Sequence, residues 1–191
     1  MKKIIYVCTF LLSAAVLINC WCTQVLQKLE NNIVRLHIVA NSDSVNDQNI
    51  KLKVRDRIIE LAEEVGSVPT VEQMEAEANE LLLKEDAPYR AKAAFGKYHI
   101  DRRKYESFIL PEGIYTAARI ELGSGRGKNW WCVLSPPLCF TKSAFGDTNE
   151  LEAFIGEEAH RAVNHKDITV KLKLLEIVSS ISRSIMQKYQ I

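Results

Sequence analysis

The chain has 191 residues, of which 47% are hydrophobic and 26% are charged, so it is long enough for one globular domain with a sizeable core. Its 25 basic and 24 acidic residues nearly cancel, and the formal net charge is +1. This balance gives no electrostatic argument for binding the phosphate backbone of a nucleic acid. We therefore predict no nucleic-acid partner.

Residues 1–22 have the pattern of an export signal. Lys2 and Lys3 precede an apolar run over residues 4–18. A basic segment followed by an apolar segment of this length is typical of a secretory signal peptide, and it is short for a membrane span. We therefore predict export of the protein across a membrane.

The sequence leaves the end of this segment open. Cys20 and Cys22 could be the small residues before a cleavage site, which would make Thr23 the first mature residue; a retained membrane anchor is the alternative. Residues 23–32 are expected to be a polar linker or a short helix. Residues 33–191 then make a single globular domain.

The first predicted strand covers residues 33–40, IVRLHIVA, in which β-branched and apolar residues alternate with Arg35 and His37. This pattern predicts a strand with one buried face. The turn-forming and cap-forming residues 41–44, NSDS, follow it directly. The strand is therefore expected to lead into the start of a helix.

Two helices are predicted next, over residues 47–65 and 70–84, because apolar residues recur in both at spacings of three and four. Gly66 follows the first helix in the position of a C-terminal glycine cap. Thr70 and Gln73 have the spacing of a capping box at the start of the second.

The rest of the chain is predicted to contain more strands and then helices. Residues 89–100 favour a strand, although their alanines also allow a helix, and residues 123–128 form a flexible glycine-rich loop that joins the next two strands as a hairpin. The remaining elements are strands at 114–122 and 129–134 and helices at 150–162 and 170–188. The predicted fold is α/β (α+β): a strand, two helices, an antiparallel β-meander and C-terminal helices in a single domain.

The glycine-rich loop does not match a phosphate-binding motif. The Walker pattern needs a glycine five residues before the glycine of Gly127-Lys128, and Ser or Thr after the lysine. Those positions hold Leu122 and Asn129. We therefore predict no nucleotide. We also predict no other cofactor and no small-molecule substrate.

A metal site is not predicted either. His160 and His165 are five residues apart, whereas a zinc-binding helix carries two histidines four residues apart on one face. Both histidines are better explained as surface residues.

Polar residues are concentrated at the end of the first strand, where His37, Ser42, Asp43 and Asp47 occur within eleven residues. A hydrolase uses such groups, but the sequence has no Gly-x-Ser-x-Gly nucleophile elbow. Capping and turn hydrogen bonds are the simpler explanation, and a polar recognition edge is intermediate between the two. We assign no catalytic residue and predict that the protein is not an enzyme.

The segment 129–140, NWWCVLSPPLCF, combines two tryptophans with two cysteines on either side of a proline pair. In an oxidising compartment, Cys132 and Cys139 most simply form a structural disulfide. Trp130 and Trp131 on one strand must point to opposite faces of the sheet. One tryptophan can therefore enter the core, while the other is either covered by another layer or exposed as a binding residue.

Two long runs resemble the stage II sporulation protein R family: RLHIVANSDSVNDQNIKLKVRD from Arg35 and LPEGIYTAARIELGSGRGKNWWCVLSPPLCF from Leu110. The resemblance implies an exported signalling protein, secreted from the forespore into the space between the forespore and mother-cell membranes. There it would activate a membrane-bound aspartic protease of the mother cell, which processes the sigma-factor precursor pro-sigma-E. The family has no established catalytic residues, so the resemblance assigns none.

The resemblance implies that residues 33–191 form a signalling domain whose partner is the protease. Any membrane contact would be made by the N-terminal segment, if that segment is uncleaved. The predicted partner-binding residues are Trp130, Trp131, His37, Asn41, Asp43, Asp47 and Gln48. Two alternatives stay open, namely an exported hydrolase of the septal space and a passive septal structural protein.

Overall fold

The structure is a computed structural model of the chain that describes residues 2–104 and 109–136, together with Gly156, Glu157, Ala159 and Ile177. These residues form a mixed α/β arrangement, which confirms the predicted fold class. The predicted C-terminal helices at 150–162 and 170–188 lie outside this description. The elements in chain order are α1 (Lys2–Asn32), β1 (Val34–Val39), α2 (Val45–Val65), α3 (Val71–Lys84), β2 (Ala91–Ile100), β3 (Arg103–Lys104), β4 (Ile109–Leu110), β5 (Gly113–Leu122) and β6 (Asn129–Ser135).

The chain divides into two compact units. One consists of Met1–Glu30, Asp101–Gly113 and Leu151–Ile191, and the other of Asn31–Ile100 and Ile114–Glu150. In the first unit, β3 and β4 pair as a short antiparallel ladder. Helix α1 also runs without a break through residues 23–32. The sequence allowed either a linker or a short helix there, and the structure has the helix.

The first helix after β1 ends at Val65 as predicted, but it begins at Val45, two residues before its predicted start. The Ser44 hydroxyl accepts a hydrogen bond from the Asp47 amide at the start of α2. Gly66 ends α2 in the left-handed conformation, with φ of 67°, which glycine adopts without the cost of a Cβ clash.

The predicted capping box of the next helix is also present. The Gln73 amide donates to the Thr70 hydroxyl at 3.3 Å, and the Thr70 amide donates to the Gln73 side chain at 2.9 Å. These local signals therefore determine the N-terminus of α3.

The second unit is built on a four-stranded sheet in the order β2-β5-β1-β6. Strand β1 pairs with β5 in parallel and with β6 antiparallel, so both of its edges are hydrogen-bonded. The predicted hairpin of β5 and β6 is wrong, and the sheet is mixed rather than a simple antiparallel meander. A six-residue glycine-rich loop can span two strand spacings of about 4.8 Å each, so the sequence could not show that β1 lies between them.

Helices α2 and α3 cover one face of this sheet, which we call the helix face. Leu36 and Ile38 of β1 point into the core there, and Arg35 and His37 lie on the opposite face, which we call the far face. The helices contribute the fully buried side chains Ile50, Val54, Ile58, Met74, Ala78 and Leu82. This packing makes β1 the buried centre of the sheet.

The glycine-rich loop 123–128 is fixed against the segment that follows β1, which contradicts its prediction as a flexible loop. The Gly127 amide donates to the Ala40 carbonyl at 2.8 Å, and the Arg126 amide donates to the Asn41 carbonyl at 3.3 Å. A Cβ atom on Gly127 would overlap the Ser42 backbone carbonyl. Glycine is therefore needed at position 127 because the two backbone segments approach too closely for a side chain.

Replacing Gly127 by alanine should destabilise the folded protein. The added methyl group meets backbone atoms of Ser42 that cannot rotate away, and such overpacking costs about 1–3 kcal/mol. The measurement is the urea midpoint of unfolding of the purified chain.

Gly125→Asn is the matched control for Gly127→Ala. Gly125 has φ of 59°, and an added Cβ would make only ordinary contacts with the Glu121 side chain. Asparagine tolerates this conformation better than most residues but still carries some backbone strain there, so the control should lose less stability than Gly127→Ala. Equal midpoints for Gly127→Ala and the wild type would contradict the proposed packing.

Candidate partner-binding site at the end of β1

The parallel pairing of β1 and β5 brings two loops to the same edge of the sheet. Residues 40–44 follow β1, and residues 123–128 follow β5. Loops at the carboxyl ends of parallel strands meet at one edge, where open α/β sheets commonly bind ligands. The polar residues after β1 therefore lie against the glycine-rich loop, a contact that no local sequence pattern predicts.

The Asp47 carboxylate is the centre of this region. It is buried and accepts hydrogen bonds from the Ser42 hydroxyl at 2.5 Å, the Asn41 side-chain amide at 2.9 Å and the Tyr89 hydroxyl at 2.5 Å. Burial raises the pKa of Asp47, but the hydrogen bonds from Ser42, Tyr89, Asn41 and Ser44 outweigh that effect and hold the pKa below its ordinary value. The carboxylate is thus ionised and occupied, as in a structural cap.

Asp43 and Gln48 connect the two loops further out. The Lys128 amide donates to the Asp43 carboxylate at 2.8 Å, and the Gln48 side chain donates to the Ser42 carbonyl at 2.9 Å. Lys51 donates to the Gln48 side-chain oxygen at 2.6 Å and to the Lys128 carbonyl at 3.1 Å. The network presents an exposed Asp43 on a fixed backbone.

Lys51 is the buried cation of this network. Burial lowers its pKa most strongly, and the nearby positive charges of Lys128 and Arg55 lower it as well, whereas the negative charge of Asp43 raises it. The balance keeps the pKa of Lys51 below its ordinary value. Lys51 also fixes the start of β6, because its ammonium group donates a hydrogen bond to the Lys128 carbonyl.

The two tryptophans lie on opposite faces of β6, as the alternation of a strand predicts. Trp130 packs against the core on the helix face, and the Arg55 guanidinium lies 4.5 Å from the centroid of its ring. Trp131 lies on the far face and stacks on His37, with ring centroids 3.7 Å apart and an angle of 8° between the planes. Both indoles are half-buried.

His37 holds the Trp131 ring in place by stacking against it. Its side chain is buried, and its Nε2 atom is 2.9 Å from the Asn129 side-chain oxygen. An amide oxygen only accepts, so this nitrogen carries the proton and donates. The stacked rings of His37 and Trp131, which we call the far-face pair, are thereby fixed in orientation.

The predicted partner-binding residues fall into three groups. Asn41, Asp43, Asp47 and Gln48 lie together at the loop edge, His37 and Trp131 form the far-face pair, and Trp130 lies on the helix face. The first two groups are adjacent along the chain, because Lys128 binds Asp43 and the next residue, Asn129, binds His37. Trp130 belongs mainly to the packing of the core.

Sequence reasoning missed several residues that complete the site: Lys51, Arg55, Tyr89, Ser124 and Asn129. Lys51 and Arg55 follow Gln48 along α2 at spacings of three and then four. This spacing is the one signal that could have placed them on the same face of the helix as Gln48. The Tyr89 contact joins residues 42 positions apart. Contacts of that separation depend on the tertiary fold, and no local pattern predicts them.

The predicted disulfide stays a prediction. Cys132 is buried in β6, and Cys139 lies outside the described residues. Within residues 2–104 and 109–136 and the four further described positions, no three His, Cys, Asp or Glu side chains group closely enough to hold a metal ion. His160 and His165 are also outside that part of the chain.

Replacing Asp47 by asparagine should destabilise the protein at neutral pH and change its dependence on pH. Removing the charge leaves buried hydroxyl donors poorly matched, at a cost of about 1–3 kcal/mol. Because the pKa of Asp47 is lowered by folding, the wild type loses this stabilisation as the pH falls below about 4. The free energy of unfolding of Asp47→Asn should therefore approach that of the wild type in acid.

Urea unfolding at a series of pH values from neutral to acid measures this difference. A gap between wild type and Asp47→Asn that narrows below the ordinary aspartate pKa agrees with an ionised structural carboxylate. A gap that stays constant throughout the series would contradict it.

Comparison with known proteins places this region inside a defined family. A family model described as stage II sporulation protein R matches residues 30–144, which include β1, both packing helices, β5, β6 and the whole candidate site. No solved structure matches the chain.

A relative of known name gives the same result. Stage II sporulation protein R of Bacillus subtilis (strain 168) is 34% identical over 168 residues, which cover 77% of this chain and 75% of the relative. The match therefore extends over most of both proteins and agrees with the resemblance seen in the two sequence runs. The chain belongs to the stage II sporulation protein R family.

Proposed function

We propose that this protein is an exported sporulation signal that binds and activates a membrane-bound aspartic protease of the mother cell. The activated protease then processes pro-sigma-E. Family membership supports the sporulation role, and the family resemblance supplies the identity of the protease and of its substrate. The forespore secretes the protein into the space between the two membranes.

The N-terminal helix supports export. Within the described residues, α1 is the one helix that is long and apolar enough to cross a membrane, and it lies at the N-terminus. A signal sequence has the same properties. The helix is therefore compatible with delivery of the chain across the forespore membrane.

The far-face pair is the observation that carries the binding proposal. Trp131 is half-buried on β6, its ring is stacked on His37, and His37 is held by Asn129. A large aromatic side chain that is already fixed loses little conformational entropy when a partner covers it. Tryptophans in such positions are over-represented among residues that dominate binding energy.

The contacts of the same residues favour binding over hydrolysis. The Nε2 atom of His37 is engaged with an amide oxygen instead of a serine hydroxyl, and both Asp47 oxygens accept structural hydrogen bonds. A hydrolase needs a base that contacts its nucleophile. These contacts support our assignment of His37 and Asp47 to supporting roles in the proposed binding surface.

Activation by binding requires a difference in affinity between two states of the protease. A ligand shifts an equilibrium only as far as it prefers one state over the other. A rigid surface suits this task, because it can fit one arrangement of the protease and reject the other. In this mechanism the fixed loop edge and the far-face pair together select the active state.

Replacing Trp131 by alanine should reduce activation without unfolding the domain. Loss of a central aromatic residue from an interface typically costs about 2 kcal/mol or more, which corresponds to a drop of roughly 30-fold in affinity. The measurement is the concentration of purified protein that gives half-maximal processing of pro-sigma-E by the protease in membranes.

Leu83→Ala is the matched control for Trp131→Ala, because Leu83 is also a large apolar residue and is 71% exposed on α3. The Leu83→Ala protein should activate processing of pro-sigma-E by the protease as well as the wild type does. The urea midpoints of both variants establish that they are folded. Wild-type activation by a folded Trp131→Ala protein would contradict the far-face pair as the contact surface.

His37→Ala distinguishes binding from hydrolysis. The binding proposal predicts that removing the imidazole loosens Trp131, so binding to the protease and processing of pro-sigma-E should weaken together. A hydrolase would lose its function while it still bound the protease normally. The two readouts are therefore measured on the same preparation, by co-purification with the protease and by precursor cleavage.

A further inference from the structure

Strand β2 lies at the edge of the four-stranded sheet, where β5 is its one neighbour among the described strands. The Arg90 carbonyl, just before β2, accepts a hydrogen bond from the Gly123 amide, just after β5, so the backbone of residue 90 faces β5. The N–H and C=O groups of successive strand residues point to opposite edges of the strand. The odd-numbered residues of β2 therefore direct these groups outward, away from the sheet.

Side chains of α3 occupy the first part of this outer edge. The Ala91 amide donates to the Asn79 side-chain oxygen at 2.9 Å, and the Asn79 side-chain amide donates to the Ala91 carbonyl at 3.2 Å. The Ala93 amide donates to the Glu75 carboxylate at 2.9 Å. Asn79 thus takes the place that a neighbouring strand would fill, and these contacts block strand pairing as far as Ala93.

The second part of the outer edge, residues 95–99, which we call the open half of β2, is exposed. Phe95, Lys97 and His99 are all exposed, and Phe95 reaches 41% although it is a large aromatic residue. In the part of the chain that the structure describes, no hydrogen bond reaches the outward backbone groups of Phe95 or Lys97. Such a row of strand groups is a template for pairing with another extended chain.

The charge of β2 indicates what kind of segment can pair there. Residues 90–100 contain three basic residues, Arg90, Lys92 and Lys97, and no acidic residue. Phe95 and Lys97 are two residues apart and lie on the same face of the strand, so an aromatic ring and a cation flank the open backbone. An incoming strand with acidic side chains would place opposite charges beside Lys97, whereas a second copy of β2 would bring like charges together.

We propose that the open half of β2 is a docking strand, which pairs through its backbone with an extended acidic segment of a protein partner. The backbone groups of Phe95 and Lys97 supply the hydrogen bonds, and the Lys97 side chain selects acidic residues. Trp131 lies on β6, at the opposite edge of the sheet. The docking strand is therefore separate from the far-face pair, and its test does not depend on the proposed function.

The test measures binding of a fluorescently labelled octapeptide, in which valine and glutamate alternate, to the purified full chain in detergent micelles. Fluorescence anisotropy gives the affinity, and amide hydrogen exchange shows where the peptide binds. The proposal predicts saturable binding and slower exchange within residues 91–100.

Two further peptides are controls for the chemistry of the first. One has lysine in place of glutamate, and the other carries N-methyl groups on its four central backbone amides. The first reverses the charge, and the second prevents strand pairing while it keeps the acidic side chains. Both should therefore bind at least about tenfold more weakly than the acidic peptide.

Lys97→Pro removes the outward amide of the open half, and proline is tolerated on edge strands where the N–H faces solvent. Lys97→Thr is the matched control, because it loses the same charge and keeps the amide. Lys97→Pro should bind the acidic peptide about tenfold more weakly than Lys97→Thr. Urea midpoints establish that both variants are folded. The methylated peptide tests the same hydrogen bonds on the wild-type chain, so the test does not rest on the folding of Lys97→Pro.

Several results would overturn the docking strand. They are no saturable binding at millimolar peptide, equal binding of the acidic peptide and either control peptide, equal binding by folded Lys97→Pro and Lys97→Thr, and slower exchange only outside residues 91–100. Slower exchange in this segment without peptide, at concentrations where the chain associates with itself, would assign the edge to a second copy and overturn the proposal as well.

Discussion

The buried carboxylate of Asp47 is the interaction on which the candidate site depends. It lies in the first turn of α2 and binds side chains from the segment after β1 and from Tyr89 before β2. A carboxylate near a helix N-terminus is also stabilised by the helix dipole. Asn41, one of its donors, in turn accepts from the Ser124 amide. One of the contacts that hold the glycine-rich loop thus depends on this buried charge through the Asn41 side chain.

The consequence for the proposed function is a candidate binding surface that is rigid before it meets a partner. The glycine-rich loop is fixed against residues 40–43, and this fixes the start of β6 at Asn129. Asn129 then holds His37, and His37 supports Trp131. The path from Asp47 to Trp131 passes only through hydrogen bonds, backbone and one ring stack. A signal that selects one state of its receptor benefits from such rigidity, because the cost of ordering is met during folding.

Local sequence signals predicted the local structure well. The caps at Gly66 and Thr70 and the opposite faces of Trp130 and Trp131 are all confirmed, because each depends on residues close together in the chain. The position of β1 between β5 and β6 was missed. Strand order depends on contacts between distant segments. In addition, a loop with several glycines is equally compatible with a hairpin turn and with close contact between two backbone segments. The roles of Tyr89 and Asn129 were missed for the same reason.

The central claim is activation of the mother-cell protease by direct binding. The most direct test adds purified protein to membranes that contain only the protease and pro-sigma-E, and follows the appearance of the processed sigma factor. We predict that processing begins when the wild-type protein is added and rises to saturation with its concentration. No processing at any concentration of folded protein would contradict the claim and favour a passive structural role at the septum.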